Sequence, residues 1–302
     1  MSIKSILKTA AFVSTLGSAA FAQQIAVVTH GQAGDPFWDV VHQGVKDAAA
    51  QTGLDVTYRS PRSYDMVEMA ALIDEVSATA IDGLVVSLPD SQALGPAISR
   101  AIDKGIPVIS INSGSDEAFL LGVKLHVGQN EFAAGQAAGE RFTMLGGTRA
   151  ICINQEVGNI ALDLRCAGFA QGFTGQVEML STSIDLPKTV AVVRGALQQN
   201  DQIDTIMALG AEAVAIPALI AVEAEGRSAD IKIGTFDLSD NVLQAVADGK
   251  ITFAIDQRQY DQGFMPVVLF QDYLTTGNIP DQDIQTGPNL VTIETVGDFL
   301  PK

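Results

Sequence analysis

The fold is decided by residues 231–257, which read Ile231-Lys-Ile-Gly-Thr-Phe236, then Asp237-Leu-Ser-Asp-Asn-Val-Leu-Gln-Ala-Val-Ala247, then, past Asp248-Gly-Lys250, Ile251-Thr-Phe-Ala-Ile-Asp-Gln257. The first and last runs are short, apolar and rich in β-branched and aromatic residues, the pattern of buried strands; Ser239 to Ala247 reads as a helix. The same alternation continues towards the N-terminus. It includes strands at Ile25 to Thr29, Gly83 to Leu88, Pro107 to Ile111 and Ala150 to Asn154, and helices at Phe37 to Thr52, Asn130 to Met144, Thr189 to Gln199 and Ala211 to Glu225. Alternating strands and helices imply parallel sheets covered by helices on both faces. At 302 residues the chain is about twice the usual domain size, so two such doubly wound α/β lobes fit it.

Lys4 and Lys8 precede an uncharged stretch from Ala10 to Ala22 that ends Ala20-Phe21-Ala22. The stretch is shorter than the roughly 20 residues a spanning helix needs, and its basic flank and small-residue ending match a secretory signal peptide cleaved before Gln23. An exported, periplasmic product is therefore expected. Lys plus Arg number 18 against 35 Asp plus Glu, a formal charge of −17 that becomes about −19 once Lys4 and Lys8 are removed. Nucleic acid and anionic membranes would be repelled by such a surface. In an exported protein Cys152 and Cys166, the only two cysteines, invite a disulfide between a strand and the helix after it, with two buried free thiols as the alternative. His30, His42 and His126 show no ligand spacing with either cysteine, so no metal site and no cofactor are expected.

In open α/β sheets a ligand lies outside the carboxyl ends of the strands. The residues there are Thr29-His-Gly-Gln-Ala-Gly-Asp-Pro-Phe-Trp38, Asn112-Ser-Gly-Ser115, Asn154-Gln-Glu156 with Asn159 and later Arg165, Asp237, and Asp256-Gln-Arg258. With Asp35-Pro-Phe-Trp38, Gly105-Ile-Pro-Val108, Gly234-Thr-Phe-Asp237 and Ile255-Asp-Gln257, the mature chain resembles the ribose- and galactose-type periplasmic binding proteins of ABC sugar importers.

That resemblance implies two lobes joined by three crossing segments: residues 23–127 with 256–283 in the first, and 128–255 with 284–302 in the second. A lone strand, Leu290 to Ile293, would close the chain. It also implies ligand contacts at Thr29 or His30, Asp35, Phe37, Trp38, Arg165, Asp237 and Gln257, with Arg165 forking onto hydroxyls and the two aromatics flanking a sugar ring, to which the strand ends add Asn112, Ser113 and Asn154. Asn112-Ser113, Gly210-Ala211 and Ile184 depart from the ribose-binder pattern, which argues against ribose while leaving the class intact. Carboxylates that only accept, an arginine that only donates and amides that do both suit a small neutral sugar or polyol. Asp35 and Asp237 against Arg165 leave about one negative charge, which disfavours sugar acids and phosphates.

The blander readings are Trp38 as core, Arg165 as a solvated helix charge, and Asp237 as a cap for the helix from Ser239. The expected partner is an ABC permease, the expected state a monomer. Presentation of the ligand to a chemoreceptor or sensor kinase is the alternative from another class. A secreted carbohydrate-active enzyme is disfavoured, since no Gly-x-Ser-x-Gly elbow occurs and no His lies near Cys166.

Overall fold

The computed structural model describes residues 23–32 and 34–300, so the expected signal segment, residues 1–22, lies outside the described residues. Its first half runs β1 (Gln24–Val28), α1 (Pro36–Thr52), β2 (Asp55–Arg59), α2 (Met66–Ser77), β3 (Gly83–Ser87), α3 (Ser91–Asp103), β4 (Val108–Ile111), α4 (Ser115–Leu120) and β5 (Leu125–Gly128). The second half runs α5 (Glu131–Met144), β6 (Arg149–Asn154), α6 (Ile160–Gly172), β7 (Gln176–Ser181), α7 (Leu186–Gln199), β8 (Thr205–Ala208), a π-helical turn (Ala211–Ala215) and α8 (Ile216–Ala224). It continues with β9 (Lys232–Phe236), α9 (Asp240–Ala247), β10 (Phe253–Asp256), α10 (Gln259–Thr276), β11 (Ile284–Gln285) and β12 (Asn289–Val291).

These strands form two six-stranded sheets, ordered β2-β1-β3-β4-β5-β11 and β7-β6-β8-β9-β10-β12. Every pairing is parallel except β10 with β12. Each sheet is covered on both faces by helices over its own apolar clusters, because its central strands are buried on both sides. The chain leaves the first sheet after β5 and joins the second at β6. It returns after β10 through α10, which packs on α1 with Gly263 against the Val41 carbonyl where a Cβ would collide. β11 still belongs to the first sheet, and the last passage falls between Gln285 and Asn289.

Sequence periodicity missed α4 and β5, since α4 has only six residues and His126 interrupts the apolar pattern of β5. It also read Ala211 to Glu225 as one helix. Pro217, which lacks an N–H, stands where α8 begins, and the turn before it uses a wide bond from Ile216 N to the Ala211 carbonyl. Asn130 is the N-cap of α5 rather than its first residue, and Asp185 caps α7, which starts at Leu186 ahead of the expected Thr189. The closing strand ends at Val291, short of Ile293. Cys152 and Cys166 form a disulfide with Cα atoms 5.9 Å apart, pinning β6 to the middle of α6.

Candidate functional site

In both sheets the order reverses at the first strand, between β1 and β3 and between β6 and β8, and the carboxyl ends of the two sheets face one another. Between them lies a cleft whose space, about 580 Å³, includes volume open to solvent. From the first lobe come His30 after β1, Asp35 to Trp38 at the start of α1, and Asn112 after β4. The second lobe contributes Gln155, Glu156 and Asn159 after β6, Arg165 and Leu162 on α6, residues 209–213 after β8, and Asp237 after β9; Gln257 follows β10 at a passage between lobes.

Local chemistry sets the loops. Asp35 caps α1 by accepting from Phe37 N at 3.0 Å and still faces the cleft. Asn112 and Asp237 take positive φ, 65° and 71°, which Asn and Asp tolerate better than other side-chain-bearing residues. Asp237 does not cap α9; Ser239 does, accepting from Val242 N, while Asp237 accepts from Gln257 Nε2 at 2.5 Å. Asn112 donates to Gln257 and Gln262, and Gln262 donates to Gln257 and to Thr286, so one buried amide network ties the second and third passages to the cleft wall. Trp38 is both core and wall: only 5% exposed, it packs edge-on to His30 and Phe37 while lining the cleft.

Arg165 differs most from expectation. It is buried and already forked onto Glu131, with Nε to Oε2 at 2.5 Å and Nη2 to Oε1 at 2.9 Å, and its guanidinium lies 4.4 Å from the Phe236 ring centroid. The pairing follows from how closely α5 and α6 approach. A Cβ on Gly135 would strike the Arg165 carbonyl, and one on Gly168 would strike that of Phe132. Arg165 is therefore not a free fork for hydroxyls. Its fork holds Glu131 through Nε and Nη2, which takes two of the five N–H donors of the guanidinium. Burial opposes its charge, but Glu131, Asp237 and Glu156 together outweigh that and hold its pKa above the usual arginine range.

Three expected contacts stand behind the wall. Thr29 pairs with the Tyr58 hydroxyl at 2.7 Å, so between Thr29 and His30 it is His30 that faces the cleft. Ser113 donates to Asn112 Oδ1, and Asn154 donates to Asp163 and accepts from Glu156 N; these residues orient neighbours rather than lining the space. Gln155, Glu156 and Asn159 follow the β6 strand end and were legible there as polar residues beyond a strand. Glu131 carried no sequence signal, since only helix packing brings it to Arg165.

The electrostatic count is also corrected. Arg165 is neutralised by Glu131, and Glu156 adds a carboxylate beside Asp35 and Asp237, so the cleft is more acidic than Asp35, Asp237 and Arg165 alone imply. Burial, then the charge of Glu156, pushes the Asp35 carboxyl up to about 6. Burial pushes Asp237 up to about 7, against the opposing pull of Arg165 and the Gln257 hydrogen bond. Glu156 goes the other way: burial would raise it, but His30, Asn159 and Arg165 hold it below the ordinary range. His30 Nε2 lies 3.6 Å from Glu156 Oε2 and 3.3 Å from Asn159 Nδ2, and Ile160 N donates to the Pro89 carbonyl, so the lobes touch directly beside the ligand space.

Two α/β lobes with a shared polar cleft and aromatic walls define a two-lobed solute-binding protein. Residues 25–278 match the family model described as the periplasmic binding protein domain, and the chain belongs to that family. It is 35% identical to a carbohydrate transporter from Acidothermus cellulolyticus 11B solved in complex with myo-inositol, covering 92% of this chain and 96% of that one with a TM-score of 0.88. It is 26% identical to the ribose import binding protein RbsB of Haemophilus influenzae, over 84% of this chain and 86% of that protein. Over 88% of its length it is 21% identical to the xylose/arabinose-binding protein XylF of Sulfolobus acidocaldarius, of which it covers 70%.

Proposed function

We propose that this protein is the extracytoplasmic solute-binding component of an ABC sugar importer, and that it holds a small neutral polyol, with cyclitols such as myo-inositol foremost, for delivery to a membrane permease. The observation that carries the reading is the wall itself. Carboxyls that accept when ionised (Asp35, Asp237), a donor-only arginine (Arg165) and two amides (Asn112, Gln257) converge on one space beside Phe37 and Trp38. Such groups fit hydroxyls, and flat apolar rings fit the C–H faces between them. The acidity of the cleft disfavours anionic solutes, and the relative that holds myo-inositol supports the cyclitol. Relatives of this chain are binding proteins, in keeping with a protein that performs no chemistry on its ligand. The proposal includes cleavage after Ala22, a monomeric mature protein and lobes of residues 23–128 with 257–285 and 129–256 with 289–300, closing about the segments between them.

The test is calorimetric titration with myo-, scyllo- and D-chiro-inositol, D-ribose, D-allose, D-arabinose and D-xylose, followed by small-angle scattering with the tightest binder. Saturable binding of at least one polyol and a smaller radius of gyration on binding are expected, since a site shared across a cleft favours the closed form. Binding to no member of this panel would sink the reading. An unchanged scattering profile at saturation would remove the closure from it.

A pH dependence follows from Asp35 and Asp237. Ligand hydroxyls donate to ionised carboxylates, so binding pulls their raised pKa values down and releases protons. Affinity is therefore expected to rise as pH increases through about 6 to 7 and to level off above that. In the ligand-free protein the sign is opposite: carboxyls raised above their unfolded values of about 3.8 favour the fold when protonated, so their contribution to stability declines as pH rises from about 4 to about 7. Titration at pH 5, 6, 7 and 8 in buffers of different ionisation enthalpy measures both affinity and proton release. Tighter binding at pH 5 than at pH 8 would contradict this account.

A further inference from the structure

We propose that Gln155 is a specificity-determining contact of the second lobe, its side-chain oxygen accepting a hydrogen bond from a ligand hydroxyl, and that Gly210 opposite it is the residue that makes room. The inference rests on the polyol reading of the cleft. Gln155 follows β6 and lines the ligand space. Its Nε2 turns back to the Leu209 carbonyl at 3.5 Å, while its Oε1 is buried with no hydrogen-bond partner. A buried acceptor left unpaired costs free energy, so native proteins nearly always supply it with a donor. On the cleft side a ligand hydroxyl supplies one.

Gly210 gives an independent line of argument. Its φ of −163° is ordinary extended backbone, so the chain path does not demand glycine. Space is tight instead: a Cβ there would stand 3.0 Å from Gln155 Nε2, so any side chain at position 210 would push on the end of the Gln155 amide. Around it Leu209, Ala211 and Ala213 carry no polar side-chain atoms, and the Glu212 carboxylate accepts from Asn241. Gln155 is thus the amide that this stretch of wall presents to a ligand. A fixed acceptor discriminates stereoisomers, because an isomer whose hydroxyl points elsewhere leaves the oxygen unpaired.

The test uses the panel of the preceding section with the parent protein, Gln155→Leu, Gly210→Ala and the double variant. Gln155→Leu should weaken the tightest binder by roughly tenfold or more and narrow its lead over at least one of its stereoisomers. Gly210→Ala, by displacing the amide, should reproduce part of that loss, and the double variant should bind no more weakly than Gln155→Leu alone. Melting temperatures of all three should stay near that of the parent. Parent-like binding of every panel member by Gln155→Leu would overturn the inference, as would a uniform loss that leaves isomer selectivity intact. Failure of the parent to bind any member would instead overturn the polyol reading, and this inference with it.

Discussion

Arg165→Ala is expected to cost about 3–5 kcal/mol of stability as well as ligand binding, because it strands the Glu131 carboxylate in a site where both side chains are under 5% exposed. A loss of that size corresponds to a fall in Tm of roughly 10 °C. The two roles of Arg165, structural and ligand-directed, are separable. Replacing both partners by apolar residues removes the unpaired charge, so Glu131→Met with Arg165→Met should recover most of the stability while leaving affinity at least tenfold below the parent. Glu131→Gln alone should give an intermediate case, since it leaves the guanidinium buried with Asp237 and Glu156 as its remaining carboxylate neighbours. Denaturant unfolding and calorimetric titration of the three variants decide it. A single variant Arg165→Ala that unfolds with the parent would mean that the pair does not hold α5 to α6, and a double variant that binds like the parent would remove Arg165 from the site.

Loss of the Cys152–Cys166 disulfide is expected to cost about 3 kcal/mol in the chain-entropy account, for a loop closed between residues 14 apart. Both cysteines are buried in the cluster that holds Phe142, Phe169 and Phe253, so the pair Cys152→Ala with Cys166→Ala keeps small apolar side chains there. Serine at either position would add a buried hydroxyl and confuse the measurement. Cys166 follows Arg165 directly, and the bridge fixes the turn of α6 from which the arginine reaches Glu131. The alanine pair should therefore shift the denaturation midpoint in the same direction as reductant does on the parent, and reductant should not affect the alanine pair. Two thiols titrating in denaturant without reductant, or equal midpoints with and without it, would contradict the bridge.

Much of the site was legible because of where strands end. In a doubly wound sheet the residues just past the carboxyl termini gather at one edge of the sheet, so polar or aromatic residues there are candidates for the cleft wall. His30, Asn112, Asp237 and Gln257 line it for that reason, Asp35, Phe37 and Trp38 because the loop after β1 leads into the start of α1, and Arg165 because it lies on the helix that follows β6. The same rule overreached at Thr29, Ser113 and Asn154. Alternate residues at a strand end point to opposite faces, and a one-position difference turns a wall residue into a support. At Asp237 the blander reading, a cap for the following helix, falls away: with φ at 71° its carboxylate accepts from Gln257 and the cap passes to Ser239.

By itself the sequence determined the alternating strand and helix order, the two sheets and the strand-end positions of the site residues, because hydrophobic periodicity and strand-end polarity are local properties that need no knowledge of what packs against what. Tertiary structure alone decided that Arg165 belongs to Glu131, that Gln155 takes the space Gly210 leaves, and that one amide network joins Asn112, Gln257, Gln262 and Thr286. Each of these joins residues far apart in the chain or on different elements. Their partners are set by how closely helices and strands approach, and burial then fixes the strength and the charge state of the contact, as it does for Asp35 and Asp237.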